Sequence, residues 1–276
     1  MNRDGRPNLF VIGAMKCGTT SLHEYLDRHP DIGMSRLKEI NFFSGENAEK
    51  PMDWYLSHFD LSKPVRGESS QSYSKAHDPY HRGAPARMAQ LCPDAKLVYL
   101  VRDPIDRYLS HIVENYLGET EEIKRHNTSI DTYVRTGMYH YQVSFFLEHF
   151  PLEQILVVDS DDLRCNRLAT MNRIFDFLDV PRIPDPSVFE FEVNANGEDV
   201  VPPQIGGTLP YRAARRIMPR TLHWLVTTPV VRKAMFSGSY KTELGGDERA
   251  RLAERFAPDV AALRALTGQS FSSWSV

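Results

Sequence analysis

The sequence predicts an α/β protein built on a parallel sheet. Three apolar runs of strand length carry that expectation: Asn8–Gly13, Lys96–Val101 and Ile155–Val158. Each is followed by a stretch with helical periodicity. Strands joined through helices run parallel, because the crossover returns the chain to the same end of the sheet. Uninterrupted apolar runs, rather than alternating ones, fit strands covered on both faces.

Asn8–Gly13 (NLFVIG) reads as a buried strand that ends in glycine. Thr20 to His29 follows as a helix, with Leu22, Tyr25 and Leu26 on one face and Pro30 as its stop. Strand, glycine loop and helix open a βαβ unit. Lys96–Val101 (KLVYLV) is the second strand. Behind it, Asp103 caps a helix whose first position is Pro104 and whose apolar face is Ile105, Tyr108 and Leu109. Ile155–Val158 (ILVV) is the third strand, bounded by Asp159. Arg167 to Leu178 is a helix with Met171, Ile174, Phe175 and Leu178 in phase. Asn194 to Pro210 is rich in Gly, Pro and Asn and reads as a loop. Tyr211 to Phe236 then carries Arg212, Arg215, Arg216 and Arg220 near its start, and Glu248 to Leu266 is a last amphipathic helix. The expected organisation is one domain over residues 1–276, with a nucleotide-binding core at about 8–180 and a C-terminal helical part at about 211–270.

The bulk numbers narrow the partners. A chain of 276 residues with 41% hydrophobic and 25% charged side chains is an ordinary globular protein. Its net charge of −3 gives no reason to expect nucleic acid. Cys17, Cys92 and Cys165 are scattered, with neither a disulfide framework nor zinc spacing, which fits a reducing, cytoplasmic setting and no metal site. The apolar part of the N-terminus is too short for a signal peptide, and no run of about 18 apolar residues predicts stable membrane insertion.

The segment Gly13-Ala14-Met15-Lys16-Cys17-Gly18-Thr19-Thr20-Ser21 joins the first strand to the first helix. Glycines let successive N–H groups turn inward, the helix N-terminus adds partial positive charge, Lys16 adds a full one, and Thr19, Thr20 and Ser21 offer hydroxyls. That is a cradle for phosphate. A nucleoside triphosphate loop reads GxxxxGK[ST]. Here Thr19 stands at the lysine position and the lysine has moved inside the loop, to Lys16, which argues against ATP or GTP.

The loop GAMKCGTTSL resembles the 5′-phosphosulfate loop of the sulfotransferases that use 3′-phosphoadenosine 5′-phosphosulfate (PAPS), in particular their carbohydrate branch, which includes heparan sulfate sulfotransferases. The resemblance covers most of Asn8 to Val180 and implies a P-loop NTPase-like parallel sheet with helices on both faces. It also implies PAPS as co-substrate and an acceptor hydroxyl on a glycan or small metabolite. Within it, Lys16, Cys17, Gly18, Thr19, Thr20 and Ser21 match the phosphosulfate loop. Arg102 at a strand end and Ser110 eight residues later match the pair that binds the 3′-phosphate, and Tyr139 matches a tyrosine near the nucleotide.

Lys38-Glu39-Ile40-Asn41-Phe42-Phe43 resembles the family's KE-x-HFF, whose glutamate is the catalytic base; Glu39 inherits that role, with Asn41 in place of the histidine. Trp54-Tyr55 and Glu68 to Tyr73 resemble the WY and EKSPxY segments, except that Ser69 replaces the lysine and Gln71 the proline. Ser237 to Lys241 (SGSYK) is a candidate for the late loop that closes over the nucleotide.

Two other readings stay open at this level. One is a kinase with an atypical loop, in which Asp159, at the end of ILVVD, holds magnesium. The other is a binding module whose Arg212–Arg220 cluster and apolar Leu222, Trp224, Leu225 and Val226 touch anionic lipid or a partner.

Overall fold

In a computed structural model, residues 5–117, 130–191 and 244–276 are described. The predicted loop at 194–210, the basic and apolar stretch at 211–236 and the SGSYK segment at 237–241 lie outside them. Five strands form one sheet: β1 (Leu9–Gly13), β2 (Ile32–Met34), β3 (Val65–Ser69), β4 (Lys96–Val101) and β5 (Ile155–Asp159). All neighbours pair in parallel, in the order β2-β3-β1-β4-β5. The helices are α1 (Thr19–Asp27), α2 (Met52–Leu56), α3 (Ala84–Leu91), α4 (Pro104–Leu117), α5 (Ile130–Thr136), α6 (Tyr139–Leu147), α7 (Ser160–Cys165), α8 (Arg167–Leu178) and α9 (Gly246–Thr267).

The three apolar runs became β1, β4 and β5, side by side and almost wholly buried. β2 and β3 carry no such run. β3 reads Val65-Arg66-Gly67-Glu68-Ser69, yet every residue of it is buried. Its polar side chains are matched inside the fold. Arg66 donates from Nε to the Arg6 carbonyl (3.1 Å) and from a terminal nitrogen to the Lys63 carbonyl (2.7 Å). A buried polar strand of this kind is stable only because the tertiary structure brings it partners.

The chain leaves β1 for β2 and β3 on one side, then crosses to β4 and β5 on the other. The strand order therefore reverses at β1, and ligands of open parallel sheets bind beyond the carboxyl ends of strands at such a reversal. That edge is where the loop after β1, the Glu39 segment beside the end of β3, and Arg102 after β4 come together. Behind it, α9 packs on α6 and α4, and Asp259 of α9 accepts the backbone N–H groups of His140 (3.0 Å) and Tyr141 (2.8 Å), capping α6 from far along the chain.

Candidate active site

The loop after β1 is held at both ends. The Ala14 amide donates to the Leu100 carbonyl of β4 (2.6 Å), tying the loop to the neighbouring strand. Gly13 has φ +147°, and a Cβ there would lie 2.0 Å from Ser74 Oγ, so only glycine fits. At the far end Gly18 has φ +90°, precedes α1 and is exposed, and no side chain caps the helix. The first turn of α1 therefore opens toward the loop behind a glycine rather than a capping side chain, an arrangement suited to an anion.

Lys16 sits between the two glycines with φ +69°, a left-handed backbone uncommon outside glycine. Thr20 and Ser21 are half-buried at the start of α1, and Thr19 is buried. Cys17 points the other way. Its thiol is buried, burial pushes its pKa up to about 11, and its amide donates to the Ala14 carbonyl (3.2 Å). It supports the loop from beneath rather than offering a group to phosphate.

Arg102 follows β4 and begins the second anchor. Asp103 behaves as the sequence predicts, its Oδ1 accepting the amides of Ile105 (2.8 Å) and Asp106 (3.2 Å) at the start of α4. Arg102 pairs with Asp106 at 3.5 Å, with about a third and a half of the two side chains exposed (33% and 47%). A pair this open is weak and exchanges readily for a phosphate dianion. Ser110, half-buried, lies one helical turn beyond Asp106 on the same face of α4.

The two anchors meet at one side chain. Tyr139, fully buried at the start of α6, accepts the Arg102 amide at its hydroxyl (3.4 Å), and the same hydroxyl lies 3.6 Å from Cys17 Sγ. Tyr139 is therefore a brace under the site, not part of its open surface. Burial first, and then the charges of Arg107, Lys75 and Lys16, drive His111 of α4 down to about 2. Arg107 and Arg102 act on the Cys17 thiol in the same sense.

Glu39 stands beside the end of β3. Its amide donates to the Ser69 carbonyl (2.9 Å), its Oε2 accepts the Gln71 amide (2.8 Å) and its Oε1 pairs with Lys38. Glu39 (φ +60°) and Asn41 (φ +53°) both take the left-handed conformation, so the segment is shaped by its surroundings rather than by local preference. Asn41 Oδ1 accepts the Ser72 hydroxyl (2.5 Å), so the residue standing for the family's histidine is committed to the fold. Trp54 is only partly buried, whereas Tyr55 is buried in an aromatic cluster with Phe42 and Phe43.

Asp159 has other duties than magnesium. Its Oδ1 accepts the Asp161 amide (3.0 Å), capping α7, and its Oδ2 accepts the Trp274 indole N–H (3.1 Å). It is buried, and burial raises its pKa to about 6. The final residues were not read from the sequence as part of the site. The Ser275 amide donates to Asp103, and Trp274 stacks on Phe271 and packs against Tyr139 with ring centres 5.7 Å apart. The C-terminal segment thus closes the floor beneath both anchors. The sequence signal was slight: two aromatics in Phe271-Ser272-Ser273-Trp274, beyond the last helix.

A parallel sheet with a glycine-bounded loop at its switch point, a lysine within the loop and an arginine at the next strand end defines an α/β protein of the P-loop NTPase-like fold. The sulfotransferase domain model matches residues 6–191, and the chain belongs to that family. The bifunctional heparan sulfate N-deacetylase/N-sulfotransferase 1 of Caenorhabditis elegans is 32% identical over 197 residues, covering 64% of this chain and 22% of that protein. Heparan sulfate glucosamine 3-O-sulfotransferase 3B1 of Mus musculus is 31% identical over 198 residues, covering 67% of this chain and 49% of that one. The chain thus matches about a fifth of the first relative and half of the second, both from the branch expected from the loop. The crystal structure of a sulfotransferase from Alicyclobacillus acidocaldarius superposes with a TM-score of 0.65 at 27% identity, over 98% of this chain and 99% of that one.

Proposed function

We propose that the protein transfers a sulfuryl group from PAPS to an acceptor hydroxyl, on a glycan or a small metabolite. The observation that carries this reading is the Tyr139 hydroxyl, which spans the phosphate loop and Arg102. A donor with a phosphate at each end of its ribose needs two anchors at a set separation, and a shared buried brace sets one. In transfer, the acceptor oxygen bonds to sulfur while the bond from sulfur to the 5′-phosphate oxygen breaks.

Glu39 takes the acceptor's proton. Lys16 neutralises the charge that develops on the departing phosphate oxygen, beside the N–H groups of α1. Thr19, Thr20 and Ser21 line the 5′ side of the donor, and Arg102 with Ser110 holds the 3′-phosphate. The heparan sulfate relatives favour a glycan acceptor. The scattered thiols fit a cytoplasmic setting.

Calorimetry and labelling test the reading together. Adenosine 3′,5′-bisphosphate is expected to bind without magnesium and ATP to compete poorly. Label from ³⁵S-PAPS is expected to pass to heparan sulfate or to a hydroxyl compound in a cell extract, identified by mass spectrometry. Magnesium-dependent ATP binding, with no transfer of label, would overturn it in favour of a kinase.

A further inference from the structure

Glu68 is the last residue but one of β3, opposite Phe10 of β1, and is fully buried. Its two oxygens accept three hydroxyls: Tyr55 on Oε2 (2.5 Å), and Tyr73 (2.5 Å) and Ser70 (2.8 Å) on Oε1. Two of these hydroxyls also accept. Ser70 Oγ takes the Asn41 amide (3.1 Å) and Tyr73 Oη takes the Phe43 amide (3.3 Å). One buried carboxyl thus reaches, through two hydroxyls, the backbone just after Glu39.

The chemistry gives this relay a direction. An ionised carboxylate only accepts, so each hydroxyl must turn its single hydrogen toward Glu68 and present lone pairs to the amides. A protonated Glu68 carries a hydrogen of its own. On Oε1, which already accepts both Ser70 and Tyr73, that hydrogen is donated to one of the two, whose own hydrogen then turns away from the carboxyl and competes with the amide bound there. The backbone at Glu39 is left-handed (φ +60°), a conformation unfavourable for a residue other than glycine, so its position depends on grips of this kind.

We propose that Glu68 is the positioning residue of the Glu39 segment: as a carboxylate it orients the Ser70 and Tyr73 hydroxyls, which hold Asn41 and Phe43 and thereby aim Glu39. The proposal rests on the reading of Glu39 as the base. Burial, partly offset by the hydrogen bonds from Tyr55, Tyr73 and Ser70 and reinforced by the charge of Glu39, raises the Glu68 pKa to about 7. The titratable groups facing it are Tyr55 from α2, Tyr73 from the turn after β3, Glu39, and the Cys92 thiol after α3. The relay is therefore made and broken across the neutral range.

Amide hydrogen exchange by NMR on the whole protein tests this without an acceptor. After correction for intrinsic rates, protection of one of the two amides, Asn41 or Phe43, in the unmodified protein is expected to rise about tenfold from pH 6 to pH 8, the worth of one hydrogen bond. Glu68→Gln should abolish that pH dependence. Ser70→Ala should expose Asn41 alone and Tyr73→Phe Phe43 alone, two milder changes that keep the proposal testable where Glu68 variants fold poorly. In label transfer from PAPS to heparan sulfate, both hydroxyl variants should lose kcat with KM for PAPS unchanged. Protection that is independent of pH, or that keeps its pH dependence in Glu68→Gln, overturns the proposal. An unmodified protein that transfers no label sinks the sulfotransferase reading instead, while the exchange result still decides whether Glu68 holds the segment.

Discussion

The proposed donor side and the proposed base side of the site are built in opposite ways. The donor side consists of two local units, the loop from β1 into α1 and the turn from β4 into α4. Each presents backbone N–H groups or a cation at a half-open strand end. The base side is assembled from three separate stretches: the Glu39 segment, β3 and the turn at Gln71–Ser74. It is knit together by a buried carboxyl and its hydroxyls. Gripping an anion needs N–H groups and positive charge, which a glycine loop and a helix end supply by themselves. Aiming a base needs a side chain fixed in direction, and that requires a network behind it.

The largest effect should come from the cation in the loop after β1. Lys16→Ala is expected to lower kcat about a thousandfold with the circular dichroism spectrum unchanged. Glu39→Gln should cost about a hundredfold in kcat while calorimetric affinity for adenosine 3′,5′-bisphosphate stays the same, a split that sets the two sides apart. Normal turnover in this variant would remove Glu39 from the base role. Arg102→Ala should weaken binding of the bisphosphate about tenfold or more, with a smaller loss of kcat.

Trp274→Ala probes the floor shared by both anchors. The indole is buried and bonded to Asp159, so thermal unfolding should show a loss of about 3 kcal/mol. The smallest and most selective effect is in the pH dependence of stability. A carboxyl whose folded pKa is raised binds its proton more tightly in the native state. Its stabilising contribution is therefore full below about 4.5 and is lost as pH rises toward about 7. Glu68→Gln should flatten that decline in urea unfolding measured across the interval, and an unchanged slope would show that Glu68 is not the group responsible.

Legibility in the sequence follows the same division. The loop at Gly13–Ser21, the Asp103 cap and the helix at Arg167–Leu178 were each readable because the signal lies within a few neighbouring residues: glycine spacing, a capping acid, an apolar stripe. β3 was not, since Arg66 and Glu68 break any apolar pattern and their partners lie elsewhere in the chain. Asp159 was readable as a turn acid but not as the partner of Trp274, over a hundred residues away.

By itself the sequence determined the strand–loop–helix units and the residue types suited to phosphate, because backbone geometry and local charge need only near neighbours. Only the tertiary structure decided that Tyr139 would brace both anchors, that Glu68 would stand behind Glu39, and that the C-terminal aromatics would close the floor. Those roles rest on buried hydrogen bonds between distant segments, and a buried polar group is stable only where folding delivers its partner.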